Sequence, residues 1–270
     1  SYSSDKTVEI AQAAGAIVLQ NKFVNYAKQF EWALANAPIE TTWVMRLDAD
    51  EVIEPDLAAE IQAKLPALGA DVAGINLKRK HIFMDRWVRH GGRFPLVLLR
   101  IWRHGQGRIE QRWMDEHMVV WGGKTVTFDG GFADHNLNDL TFFTDKHNKY
   151  ATREAIDILN QKYELFKLDD AMSAKAASFQ ASMKRVVKER ISNQMPLWLG
   201  PLCYFLYRYV IQLGFLDGRA GLIYHFLQGG WYRFLVGSKV VEYDHWLAPL
   251  PNAEERAKML ETLTGHKLVN

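Results

Sequence analysis

The stretch Trp43-Val44-Met45-Arg46-Leu47-Asp48-Ala49-Asp50-Glu51 is a short apolar run that stops abruptly in three acids separated by one alanine. Val, Trp and Leu in such a run read as a buried strand. Acids just past its end lie where α/β sheets place their ligands. Asp48 and Asp50 are therefore the first candidates for chemistry. Two carboxylates at i and i+2, leaving a strand through a turn, can both face a hard divalent cation that also holds a diphosphate. The alternative is that they solvate the turn and cap the helix expected from Pro55, since an acid-x-acid triplet has low specificity by itself.

Working outward, the segments on either side follow a strand-helix alternation. Residues 7–14 have a helical pattern that Ser4 or Asp5 can cap and Gly15 can end. Residues 16–19 are apolar and are expected to form a strand. In residues 23–37, Phe23, Tyr26, Ala27, Phe30 and Leu34 share a helical face that belongs in the core. Pro55 suits the first turn of a helix over residues 55–65. The order predicts an α/β sheet.

After Gly69 the pattern predicts strands over residues 71–77, 96–102 and 124–128. Between the first two, residues 78–95 carry Arg86, Trp87, Arg89, His90, Gly91, Gly92 and Arg93, which reads as a mobile binding loop. Glycines there let backbone approach a ligand, and arginines can fork onto phosphate oxygens. Residues 78–112 hold ten Lys and Arg against only Asp85 and Glu110. That surplus suits phosphates or an anionic membrane surface, unless it is a solvated basic face; a nucleic-acid partner is not expected. Trp113-Met114-Asp115-Glu116-His117 places two carboxylates and an imidazole beside apolar residues, where a carboxylate can be poised as a base. A surface turn with ordinary ion pairs is its bland counterpart.

A long helix is expected over residues 138–165, capped by Asn138, with Leu140, Phe143, His147, Tyr150 and Ile156 along one side. His147 fits the core of that face. His135, in the loop Ala133-Asp134-His135-Asn136, could instead turn toward a metal. Residues 196–241 are crowded with Leu, Tyr, Trp and Phe, behind a basic helix with Lys184, Arg185, Lys188 and Arg190. The 20 residues 197–216 have the length of a bilayer span, but Arg208, Gln212, Pro201 and three tyrosines interrupt them. The second apolar stretch, residues 222–236, contains His225, Gln228, Gly229, Gly230 and Arg233. A pair of helices lying in a membrane interface, joined by residues 214–219, is the expectation, with a buried hairpin or a dimer interface as the alternative.

The chain has 270 residues, 48% of them hydrophobic, with a formal charge of +2, enough for one large domain or a domain and an appendage. The lone Cys203 excludes an intramolecular disulfide and fits a reducing compartment. No signal peptide is visible at the amino terminus.

In this order, Ser-Ser-Asp-Lys-Thr at 3–7, Trp43 to Glu51, the basic loop from Arg86 to Pro95, Trp113 to His117, Asp134-His135-Asn136 and Lys146-His147-Asn148-Lys149-Tyr150 resemble bacterial glycosyltransferase family 2. The resemblance extends to Gly-Phe-Leu-Asp-Gly-Arg-Ala-Gly at 214–221. It points to the enzymes that build lipopolysaccharide core and exopolysaccharide. It implies an α/β fold of the nucleotide-diphospho-sugar transferase type (GT-A), a Rossmann-like sandwich with a mixed sheet, plus carboxyl-terminal amphipathic helices. The domains expected are a catalytic domain over residues 1–137, a helical extension over 138–192 and a membrane-associating region over 193–270. The implied activity is inverting transfer of a sugar from a nucleotide diphosphate, uridine diphosphate by preference, to a hydroxyl of a lipid-linked or lipopolysaccharide-core acceptor. The implied location is the cytoplasmic face of the bacterial inner membrane.

By match of motif, Asp48 lies near the ribose and diphosphate, Asp5 belongs to the nucleotide side, and Asp50 binds Mg²⁺ or Mn²⁺, with His135 as a further metal candidate. Glu116 is the base and Asp115 the second choice, because the family's usual His-Glu reads Asp-Glu-His here. Arg89, Arg93 and Arg100 would meet the donor's diphosphate or a phosphate on the acceptor, with Arg89 and Arg93 assigned to the nucleotide sugar. Family members begin with a strand, a helix and a second strand, and this chain opens at the turn after them. A unit of roughly 30 residues is thus expected to be missing, with weak nucleotide binding by this chain alone. Leu47 to Val52 also fits the nucleophile motif of haloacid-dehalogenase-type phosphatases, for which Asp169-Asp170 would have to serve as the magnesium pair. A glycoside hydrolase, for which two carboxylates suffice, and a non-catalytic, membrane-bound remnant of a transferase complete the set of rival functions.

Overall fold

The computed structural model describes residues 2–110, 117–166 and 196–268. In chain order these form α1 (Thr7–Ala13), α2 (Tyr26–Asn36), β1 (Trp43–Met45), β2 (Glu51–Ile53), α3 (Pro55–Lys64), β3 (Val72–Phe83), β4 (Arg86–Val88), β5 (Leu96–Arg103), β6 (Gly107–Ile109), β7 (Met118–Val120), β8 (Lys124–His135) and α4 (Leu140–Tyr163). The carboxyl-terminal helices are α5 (Leu199–Leu206), α6 (Gly218–His225), α7 (Tyr232–Leu247) and α8 (Ala253–Thr264). The main sheet has the order β1-β5-β3-β8-β2, with β4 beside β3, and β6 and β7 form a separate pair. Internal contacts divide the chain into two compact units. One comprises Ser1–Ala49, Ile53–Lys78 and Val97–Phe132; the other comprises Asp50–Val52, Arg79–Leu96 and Ala133–Asn270.

The first unit is layered by the period-two alternation of its strands. On β5, Ile101 joins Leu57, Ile75, Leu77, Phe128 and Phe132, while its neighbour Trp102 joins Ala27, Ile109 and Met118. On β1, Met45 goes with the first cluster and Val44 with the second. Successive strand residues face opposite sides, so α3 covers one face through Leu57 and Ile61 and α2 the other through Phe30 and Leu34. Asn25 caps α2 by accepting from Lys28 N at 2.8 Å, and Pro55 opens α3 where its missing N–H costs nothing. β1 pairs antiparallel with β5, Met45 opposite Ile101, and the Arg46 N–H to Arg100 O bond of 2.9 Å extends the ladder one step.

Residues 16–19 form no strand, contrary to the sequence pattern. A strand is held by a partner's backbone groups, and Ile17 is 73% exposed with no ladder beside it among the described residues. Asp139 rather than Asn138 caps the long helix, accepting from Phe142 N at 2.8 Å. The expected loop over residues 78–95 is largely a β-hairpin. β3 continues to Phe83 and turns through Met84 and Asp85, both with positive φ, as a twist-matched two-residue turn requires. β4 then pairs back, His81 opposite Val88 and Phe83 opposite Arg86. Only residues 89–95 remain irregular.

In the second unit, α4 packs on α7 and α8 through Ala155, Ile156, Leu159, Tyr243, Leu247 and Leu260. Lys162 Nζ and Tyr163 Oη both donate to Asp244, each reaching 2.7 Å. His147 belongs to the core as its helical face predicted. Its Nδ1–H donates to Phe143 O at 2.7 Å and its Nε2 accepts from Gln228 Nε2 at 2.6 Å, a pattern that burial reinforces by pushing its pKa down. The carboxyl-terminal stretch is more broken than two helices joined by a turn. π-helical turns at Tyr207–Ile211 and Phe226–Trp231 interrupt it. One side is buried at Ala220, Tyr224 and His225, while Trp198, Ile211, Phe215 and Leu216 are exposed. No helix among the described residues is long and apolar enough to cross a membrane.

Candidate active site

Each unit carries part of the chemistry expected from the sequence. In the first, Asp48 sits two residues past the β1 ladder and its carboxylate is held from three directions. Oδ1 accepts from Tyr26 Oη at 3.0 Å and Arg46 Nε at 3.3 Å. Oδ2 accepts from Arg46 Nη2 at 3.3 Å and Arg100 Nη2 at 3.4 Å. Arg46 lies over the Tyr26 ring at 4.9 Å, and Arg100, only 4% exposed, lies over Phe132 at 5.3 Å. Burial pushes the Asp48 carboxyl up, but hydrogen bonding and charge from Arg46, then Arg100, outweigh it and hold the pKa below the usual range. Burial and the Asp48 charge push the Tyr26 phenol up to about 12. The result is a fixed, ionised carboxylate beside two guanidinium groups.

Asp5 in the same unit is exposed and closes the turn into α1. Its Oδ1 accepts from Thr7 N at 3.0 Å and Thr7 Oγ1 at 2.6 Å, bonds that lower its pKa, the hydroxyl more than the amide. Asp115 and Glu116 lie outside the described residues. On either side of them, β6 and β7 pair Ile109 with Met118, and Glu110 N–H donates to His117 O at 2.9 Å.

In the second unit, His135 is not in a loop. It ends β8, and its N–H donates to Asp50 O at 2.8 Å, which brings the backbones of the two metal candidates together. Neither side chain has a partner among the described residues. No group of three or more His, Cys, Asp or Glu that could hold a metal occurs among those residues either. Asp50 and His135 offer a carboxylate oxygen and an imidazole nitrogen, donor types that would suit a divalent cation completed by other ligands. Next to His135, Asp134 accepts from His81 Nδ1 at 3.3 Å and pairs with Arg79 at 3.4 Å. Burial pushes the pKa of the His81 imidazole down, against the pull of Asp134.

The Arg-His-Gly-Gly-Arg-Phe loop at 89–94 is clamped by residues of the carboxyl-terminal helices. Asp217 accepts from His90 N at 2.9 Å and from His90 Nδ1 at 2.6 Å. Arg208 Nε donates to Gly91 O at 2.8 Å, and Gly91 N donates to Gln212 O at 2.8 Å. Gly91 and Gly92 both have left-handed φ, at +66° and +68°. Arg93 faces a cavity of about 360 Å³ with Arg208 and Arg233, whereas Arg89 lies on the Trp87 ring at 5.3 Å and does not line it.

Sequence reasoning set Arg208, Gln212, Gln228 and Arg233 aside as interruptions of apolar runs. That interruption was itself the signal: a charge amid Leu, Tyr and Phe is kept only where something compensates it. Residues 1–134 match the family described as glycosyl transferase family 2. The match takes in Asp5, the Asp48-Ala49-Asp50 triplet, the residue 89–94 loop, Asp115 and Glu116, so the triplet belongs to a transferase domain and not to a phosphatase. Asp169-Asp170, on which the phosphatase reading depended, lies outside the described residues. The α/β architecture with helices on both faces of the first unit's strands is that of a GT-A nucleotide-sugar transferase, and the chain carries a glycosyltransferase family 2 domain that makes the protein a glycosyltransferase acting between a nucleotide-sugar donor and an acceptor.

Proposed function

We propose that the protein transfers a sugar, with inversion, from a uridine diphosphate donor to a hydroxyl of a lipid-linked or lipopolysaccharide-core acceptor, at the cytoplasmic face of the bacterial inner membrane. The observation that carries this reading is the acid triplet after β1, within the family match, with Asp48 fixed and ionised by Arg46 and Arg100.

By its place in the motif, Asp48 accepts from the donor's ribose and orients the diphosphate through the arginines around it, and Asp5 serves the nucleotide end. Asp50, with His135, would hold Mg²⁺ or Mn²⁺, which when bound offsets charge on the departing diphosphate. Glu116 takes the proton from the acceptor hydroxyl as it attacks the anomeric carbon, with Asp115 as the alternative base. One displacement with one base gives inversion. Separate Asp50→Ala and Glu116→Ala variants test the assignment; unchanged transfer in both would overturn it.

Membrane association is supported by the exposed side of the carboxyl-terminal helices, where Trp198, Tyr207, Ile211, Phe215 and Leu216 face solvent. Tyr and Trp favour the headgroup depth of a bilayer. The basic segment with Lys184, Arg185, Lys188 and Arg190, which lies outside the described residues, would add attraction to anionic lipid. Flotation of the full-length protein with anionic liposomes checks this, and recovery only in the soluble fraction speaks against it.

A further inference from the structure

The cavity beside the glycine loop has features that the donor site does not account for. Its lining comes from the loop residues Gly91, Gly92 and Arg93 and from residues 204–233, which lie beyond the family match. Arg208 is 5% exposed, spends Nε on Gly91 O, and leaves Nη2 buried with no hydrogen-bond partner among the described residues. Arg93 has Nε in the same condition. No carboxylate within ion-pair distance faces either guanidinium among those residues. Arg233 pairs with Glu154 at 3.8 Å, and Tyr232 Oη donates to the same carboxylate at 2.6 Å. Of the three guanidinium groups, only Arg233 has a carboxylate within ion-pair distance among the described residues. A buried cation with an open donor is costly unless an anion completes it.

We propose that this cavity is a phosphate site that holds a phosphate group of the acceptor, an assignment that rests on the transferase reading above. Arg208 and Arg93 present fork-shaped donors suited to phosphate oxygens. Gly91 and Gly92 bring bare backbone to the rim, and a Cβ on Gly92 would stand 2.7 Å from Gln212 Oε1. The volume exceeds that of a phosphate alone, and Tyr204, Tyr207 and Tyr232 supply ring faces for the sugar or alkyl portion next to it. Both π-helical turns contribute to the lining, Tyr207 and Arg208 from one and Gln228 from the other. Such turns recur at functional sites.

Calorimetric titration of inorganic phosphate into the full-length protein at low salt tests the site. Saturable binding is expected, weakened roughly ten- to a hundredfold in Arg208→Gln and in the less buried Arg93→Gln, each checked for a wild-type circular dichroism spectrum. Asp50→Ala, and saturating uridine diphosphate, should leave phosphate binding in place. No saturable binding by the wild type, or equal binding by the wild type and Arg93→Gln, overturns the proposal. Phosphate binding abolished by uridine diphosphate also overturns it, because the cavity would then belong to the donor. Failure of the transferase reading shows separately, as transfer that survives Asp50→Ala.

Discussion

Replacing Gly91 by alanine should destabilise the second unit through one identifiable clash. At φ +66°, any Cβ is strained by about 1–2 kcal/mol. The new methyl would also stand 2.5 Å from His225 Nε2 and 2.9 Å from Nδ1, against a ring that is 0% exposed and has nowhere to go. Overpacking of a closed site adds about 1–3 kcal/mol, so the loss should total about 2–5 kcal/mol. At about 3 °C per kcal/mol for a protein of this size, the melting temperature should fall by roughly 5–15 °C. Gly105→Ala is the control: φ there is +78°, but nothing lies within 4 Å of the added Cβ, so only the backbone strain of about 1–2 kcal/mol applies. Urea unfolding followed by tyrosine and tryptophan fluorescence compares the two. Combining Gly91→Ala with His225→Ala should bring the added loss down to that of Gly105→Ala, since the ring is gone. Equal losses for Gly91→Ala and Gly105→Ala, or no relief in the double variant, would refute the reasoning.

Acid should destabilise the protein through His225. Its pKa is pushed down to about 4, by burial first and then by the Arg208 charge, so the unfolded chain binds a proton that the folded one refuses. Stability is therefore expected to decline as pH falls from about 6.5 to about 4, approaching a loss of ~3 kcal/mol, and His225→Gln should flatten the curve in that window. Asp48→Asn keeps the shape but removes the charge facing Arg46 and buried Arg100, and should cost about 1–3 kcal/mol in chemical denaturation as well as donor affinity. Leu159→Ala, fully buried against Leu247 and Leu260, should cost about 2–5 kcal/mol in the same measurement with donor affinity unchanged.

Much of the architecture was legible because it depends on local pattern. Pro55 marked α3, the face from Tyr26 to Leu34 marked α2, and the apolar run into Asp48 marked β1 and its candidate site. Residues 16–19 read as a strand by composition, yet pairing makes a strand, and composition does not name a partner. The hairpin at 79–88 was hidden because Arg79, Lys80, His81, Asp85 and Arg86 break up its apolar pattern, while the Met84-Asp85 turn lacks the glycine that announces such turns. His135 looked like a loop residue because the β8 pattern was read only to Phe128. The grip of Asp217, Arg208 and Gln212 on the glycine loop joins positions more than a hundred residues apart, which no local pattern records.

The most direct test of the central claim is release of nucleoside diphosphate from uridine diphosphate sugars by the full-length protein, measured with bacterial membranes as the acceptor source. The account predicts release in step with incorporation of sugar into the membrane fraction, abolished by a chelator, restored by Mg²⁺ or Mn²⁺, and lost in Asp50→Ala. Release that continues undiminished in the chelator and in Asp50→Ala, or no release from any nucleotide sugar with membranes and metal present, would contradict it.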